Sequence, residues 1–127
     1  MNIVGIDFGL SKVGIAIATS KLAEPMKVLR YKDVKTLCTE IKKICEKEGV
    51  EKIIVGISEG QMAQKTKEFI EELKKQVNIP ILEFDETLST YDAQRLSIES
   101  GMNRRKRHEM EDAIAASVML QNYLDAN

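Results

Sequence analysis

Apolar residues open the chain in two short β-branched runs, 2–8 and 13–19, parted by the polar break Gly9-Leu10-Ser11-Lys12. Runs of this length, bounded by turn residues, predict two strands joined as a hairpin. A third short strand is expected over 26–31, after Pro25. The period then changes. Apolar positions 34, 37, 38, 41, 44 and 45 share one face of a helix over 33–48, with Asp33 as N-cap and Gly49 as stop. Lys52-Ile53-Ile54-Val55-Gly56-Ile57 is apolar almost throughout and reads as a strand buried on both faces. Residues 62–77 return to the helical period, with 62, 66, 69, 70, 73 and 77 facing inward. Pro80-Ile81-Leu82-Glu83-Phe84 is the next strand, 89–100 a helix stopped by Gly101, and 109–125 a last helix.

The order β-β-β-α-β-α-β-α-α predicts an antiparallel meander followed by β-α units that require parallel pairing. The fold class is therefore α/β, a single mixed five-stranded sheet flanked by helices. No repeat or linker divides the chain, so 1–127 is read as one domain. At 127 residues and 43% hydrophobic it can bury a core without disulfides.

Charge alters this picture only locally. Acidic and basic residues nearly cancel, leaving a net charge of −1, so overall charge argues for neither nucleic acid nor membrane. The apolar runs fall short of the roughly 18 residues of a spanning helix. Met1-Asn2 leads directly into a strand, and no signal peptide is expected. Cys38 and Cys45 lie seven apart on the first helix and read as buried thiols of a reducing compartment. The expected location is cytoplasmic. With a single His, such cysteines argue against zinc.

The candidate chemistry is carboxylate. Asp7 closes the first strand, where a buried charge is costly without a partner. It serves either the turn or a metal ion. Asp85 and Glu86 follow the strand 80–84, and ligands of open α/β sheets bind beyond such ends. Asp112 lies near the start of the last helix, beside Ala113, Ala115 and Ala116, which allow a close approach to a sheet. Glu109 stands three residues earlier, on the same helical face. Glu109, Glu111 and Asp112 also suit the positive end of a helix dipole, and Asp85 could cap the helix 89–100. Together the acids form a hard oxygen set suited to Mg²⁺ or Mn²⁺. Two such ions can drive phosphodiester hydrolysis.

Four blocks then resemble one family in order, spacing and length. Asp7-Phe8-Gly9-Leu10-Ser11-Lys12-Val13-Gly14-Ile15-Ala16 is similar to D-x-G-x-x-R-x-G-x-A, and Val55-Gly56-Ile57 to V-G-L-P. Asp85-Glu86-Thr87-Leu88-Ser89-Thr90 is similar to D-E-R-L-T-T, and Asp112-Ala113-Ile114-Ala115-Ala116 to D-x-x-A-A. The chain resembles the YqgF family, also called RuvX, of RNase H-like nucleases, which includes Holliday-junction-resolvase-like proteins and pre-16S rRNA nucleases. The resemblance implies an RNase H-like fold. It also implies catalytic acids at Asp7, Glu86 and Asp112 holding two Mg²⁺ or Mn²⁺ ions, with Glu109 as an auxiliary ligand. Hydrolysis would leave 5′-phosphate and 3′-hydroxyl ends on structured RNA or branched DNA. Lys12 departs from the family Arg and loses its planar fork, Thr87 replaces a second Arg, and Ser58 replaces a Pro. These departures bear on substrate identity and leave the acids intact.

The run Arg104-Arg105-Lys106-Arg107, between the last two helices, leads directly to Asp112 and is expected, with Lys12, to meet phosphates. His108 reads as a surface residue, and Ser89 and Thr90 as helix caps. Nucleic acid is thus the expected partner, with no membrane and with room for a homodimer. Two rivals remain. IDFGLSKVGIAI also resembles the first phosphate loop of nucleotide-binding ATPases of the actin and heat-shock-chaperone type, but those close two domains over the nucleotide. A non-catalytic RNA-binding module is the other, and the intact acid set argues against it.

Overall fold

The computed structural model of the chain describes residues 2–57, 60–85 and 104–126. Its strands are β1 (Ile3–Phe8), β2 (Lys12–Ala18), β3 (Ala23–Arg30), β4 (Lys52–Ile57) and β5 (Ile81–Asp85). They form one sheet in the order β3-β2-β1-β4-β5. The pairs β1–β2 and β2–β3 are antiparallel, whereas β1–β4 and β4–β5 are parallel. This is the mixed sheet that the element order predicts. The helices are α1 (Val34–Glu48), α2 (Gln61–Gln76), α3 (Arg104–Glu109) and α4 (Glu111–Ala126).

Alternation along the strands sorts the core into two layers. Val4, Ile6 and Phe8 of β1 join Val13, Ile15, Ile53 and Val55 against the apolar stripes of α1 and α2. On the other face Ile3, Ala16, Ala18 and Ile54 meet Ala116, Met119 and Leu120 of α4. The sheet is therefore sandwiched between helices, and β1 and β4 are buried on both sides. Gln121 fastens α4 to the β2–β3 turn, its side-chain oxygen accepting from Ala23 N at 2.8 Å and its amide donating to Lys21 O at 2.9 Å.

The start of α1 follows the capping chemistry its sequence predicts. The Asp33 carboxylate accepts from Thr36 N at 3.0 Å, which holds the Asp33 pKa below the usual carboxylate value. Gly49 ends the helix at φ 61°, a left-handed conformation that favours glycine. Cys38 and Cys45 are buried free thiols, and desolvation pushes them up to about 12 and about 11. At neutral pH both stay protonated and unreactive.

Three elements differ from expectation. β3 begins at Ala23 and takes in Pro25, which pairs with Ala16 beside a register shift at Ile15/Ala16. Proline lacks an N–H and is confined to edges and bulges; here it has both, so it does not bound the strand. β5 runs one residue further than expected, which makes Asp85 its last member. The final helix is divided. Residues 104–109 form α3, a turn falls at Met110, and α4 starts at Glu111. That start puts Glu111 and Asp112 in the first turn, where carboxylates complement the helix dipole. The helix expected at 89–100 lies outside the described residues. Among the described residues, no helix is long and apolar enough to cross a membrane.

Candidate functional site

Asp7 is the penultimate residue of β1, and alternation gives it the face of Ile3 and Gly5, towards α4. Its cross-strand partner is Gly14 of β2. Directly opposed residues have Cβ positions about 5 Å apart, so whatever rests on Gly14 is a neighbour of Asp7. What rests there is the first turn of α4. A Cβ built on Gly14 would stand 1.9 Å from the carbonyl oxygen of Asp112, 2.2 Å from its carbonyl carbon and 2.7 Å from Ala113 N. Gly14 is not among the glycines with positive φ, so its missing side chain serves space and not conformation. Ala113 and Ala116 are fully buried and keep α4 close to the sheet. Further along, a Cβ on Gly5 would lie 3.3 Å from Ala116 O. Asp7 and the backbone of Asp112, from opposite ends of the chain, thus both adjoin one glycine.

Lys12 opens β2 on the same face as Gly14. Its Nζ lies 3.2 Å from Oδ2 of Asp112, with the two side chains 38% and 30% exposed. An ion pair this open to solvent contributes about 1 kcal/mol or less to stability. Sequence reasoning gave Lys12 a phosphate and missed this carboxylate. The available signal was its even spacing from Gly14, which puts both on one face of β2.

The other nominated residues fare differently. Phe84 packs edge-on against Tyr123 of α4, with ring centroids 5.8 Å apart, while Ile81 joins the opposite core layer. Asp85 has the parity of Ile81 and is exposed, so it leaves the sheet on the side away from Asp7. Glu86 lies outside the described residues. Glu109 and Asp112 stand on either side of the turn at Met110, in α3 and α4. Glu109 ends α3, 61% exposed, with Oε1 3.3 Å from Arg105 Nε. The run 104–107 is helical and not an irregular connection. His108 is exposed, 3.9 Å from Glu111, as expected of a surface residue.

The donors that converge are hard oxygens. They fit Mg²⁺ or Mn²⁺ and not zinc, since both cysteines sit in α1 under the opposite face of the sheet. Among the described residues no three His, Cys, Asp or Glu groups are placed to hold an ion. Asp7 and Asp112 are the candidate donors on this face of the sheet.

A family profile described as "RuvX: Holliday junction resolvase" matches residues 1–126. A protein of Halothermothrix orenii named "Putative pre-16S rRNA nuclease" is 38% identical, over 98% of this chain and 95% of its own length. One of Clostridium novyi with the same name is 35% identical, over 99% of each. Among solved structures, Thermus thermophilus RuvC in complex with a Holliday junction substrate superposes with a TM-score of 0.68 at 15% identity, covering 99% of this chain and 94% of that one. The fowlpox virus resolvase in complex with Holliday junction DNA superposes with a TM-score of 0.67 at 14% identity, covering 99% and 98%. At such identities the likeness is one of fold, and it agrees with the RNase H-like architecture expected from the sequence.

Proposed function

The chain belongs to the RuvX family, and from that membership, joined to the placing of Asp7 opposite Gly14, on which the backbone of Asp112 rests, we propose that this nuclease is a divalent-metal-dependent endonuclease that processes precursor 16S rRNA. The substrate rests on one observation: relatives more than one third identical over nearly their whole lengths carry that activity in their names. In this reading Asp7, Glu86 and Asp112 hold two Mg²⁺ or Mn²⁺ ions. Bound there, such ions activate a water and neutralise the leaving oxygen of a phosphodiester.

The chain's own part is to hold the acids still. Asp7 sits on a strand paired on both sides, and Asp112 on a helix turn that cannot approach β2 further. Both donors therefore belong to rigid elements, as a positioned site requires. The wrong parity of Asp85 favours its neighbour Glu86 as the third acid. Glu109, held by Arg105, stays outside the primary set. Work on a ribosomal RNA precursor belongs in the cytoplasm, in keeping with two buried free thiols.

The test is incubation with a 16S precursor fragment and with a four-way DNA junction, each in Mg²⁺ or Mn²⁺. The expected result is discrete cleavage of the fragment with 5′-phosphate ends. Cleavage of the junction alone would move the substrate to branched DNA, and cleavage of neither would overturn the reading.

In the same reading α3 supplies phosphate contacts beside Asp112. Successive helix positions turn by about 100°, so 104–107 cannot all share one face. Changing all four to Ala should weaken fragment binding across sequences. The slope of log affinity against log salt should flatten by about one to two units, at 0.7–0.9 per lost contact. Binding isotherms at several salt concentrations measure this, and superimposable lines would leave α3 without a phosphate role.

A further inference from the structure

Lys12 is more than a surface cation. Its ammonium lies 3.2 Å from the same carboxylate that the proposed function assigns to a metal ion. Mg²⁺ takes carboxylate oxygens at about 2.0–2.1 Å, and a positive charge already bound to one of them opposes it. We propose that Lys12 is an internal competitor for metal: it neutralises Asp112 when no ion is bound, sets the metal affinity of the site, and is released towards substrate phosphate as the ion loads. The inference rests on Asp112 being a metal ligand.

The geometry suits such an exchange. Lys12 is the first residue of β2, anchored by pairing with Arg30 of β3, while its four-carbon stem leaves Nζ free to swing. A lysine is a compact point charge without the two-pronged grip of a guanidinium, so it gives up a carboxylate more readily. The pair is more than one third exposed on the lysine side, which keeps it weak enough to displace. Asp7, the cross-strand neighbour of the Gly14 on which the Asp112 backbone rests, adds a second negative charge on the same face of the sheet. Without metal the two acids therefore gain from a nearby cation, and with metal that cation is surplus.

A structural prop and a competitor behave oppositely on removal. If Lys12 merely held Asp112 in place, its loss would weaken metal binding. If it competes, its loss strengthens metal binding, by about three- to tenfold for one unit charge at this separation in a solvated site. The measurement is Mn²⁺ titration of the intact protein without nucleic acid, followed by the electron paramagnetic resonance of free Mn²⁺. Lys12→Met and Lys12→Gln should both bind Mn²⁺ more tightly than wild type, and Lys12→Arg no more tightly. Asp112→Asn should lose the site. If both neutral variants bind with wild-type or lower affinity while Asp112→Asn loses binding, the competition is wrong and the metal site stands. If Asp112→Asn binds like wild type, the metal reading of Asp112 falls and takes this inference with it.

Release towards phosphate has its own readout. Ca²⁺ should raise the affinity of a 16S precursor fragment more in wild type than in Lys12→Met, because coupling between two ligands is reciprocal and here runs through Lys12. An equal gain in both proteins would remove the hand-over.

Discussion

Asp7→Asn should lower cleavage by more than about 100-fold, the upper end of what losing even an outer-shell partner of a metal costs, and yet leave a protein that folds. The substitution preserves shape on a strand paired from both sides and removes the carboxylate that stands opposite Gly14, where α4 and Asp112 rest. Like charges brought together oppose folding, so the metal-free variant should melt at or above the wild-type temperature. Metal should separate the two proteins. An ion that binds the native state at one hundred times its Kd adds about 2.7 kcal/mol, so Mg²⁺ or Mn²⁺ should raise the wild-type melting temperature by several degrees. Asp7→Asn should show little rise, and an equal rise in both would put the ion elsewhere. Glu86→Gln and Asp112→Asn should match it in lost cleavage. Asp112→Asn should not share any stability gain, because it also strips Lys12 of its partner. Near-wild-type cleavage in any of the three would remove that residue from the set.

That contrast between the two aspartates shows where sequence reasoning reached and where it stopped. Strand identity, sheet type and both core layers were legible, because alternation and the helical period are local signals and β1 and β4 are apolar enough to leave no other reading. Asp7 and Asp112 were legible as acids at element ends. Their meeting was not. It depends on how closely α4 lies on β2, and no single stretch records that distance. Gly14 held the clue, as a residue without a side chain in a strand that after Lys12 is otherwise made of Val, Ile and Ala. The limits of the last helix were misread for a related reason. Residues 104–126 are helix-forming almost throughout, and the start of α4 at Glu111, with its two acids in the first turn, leaves no stop signal such as Gly or Pro in the sequence. Pro25 misled in the opposite sense, since whether proline ends a strand depends on that strand's place in the sheet.

Gly14→Ala should damage both the fold and the site, although it adds one methyl group. The added carbon would fall 1.9 Å from Asp112 O and 2.7 Å from Ala113 N, and both are backbone atoms that no rotamer change can move. Relief requires α4 to lift from β2, at the expense of the layer that Ala116, Met119 and Leu120 form with Ile3, Ala16, Ala18 and Ile54. Overpacking a dense core costs about 1–3 kcal/mol, and the rigidity of the opposing atoms sets the expectation at the upper end. For a domain of this size that lowers the melting temperature by roughly 10 °C. Lifting α4 also carries Asp112 away from Asp7, and a displacement of about 1 Å at a reacting centre can cost about 10² in rate. Cleavage by the fraction that stays folded should therefore fall as well. Gly5→Ala is the comparison: its new carbon would meet Leu120 Cβ at 2.9 Å and Ala116 O at 3.3 Å, about two turns and one turn along the same helix from Asp112. It should destabilise less and spare more of the activity. Thermal melts and cleavage assays on the two variants decide the matter. If Gly14→Ala is no worse than Gly5→Ala in both, α4 does not rest on β2 at Asp112, and the two aspartates lose the glycine that links them.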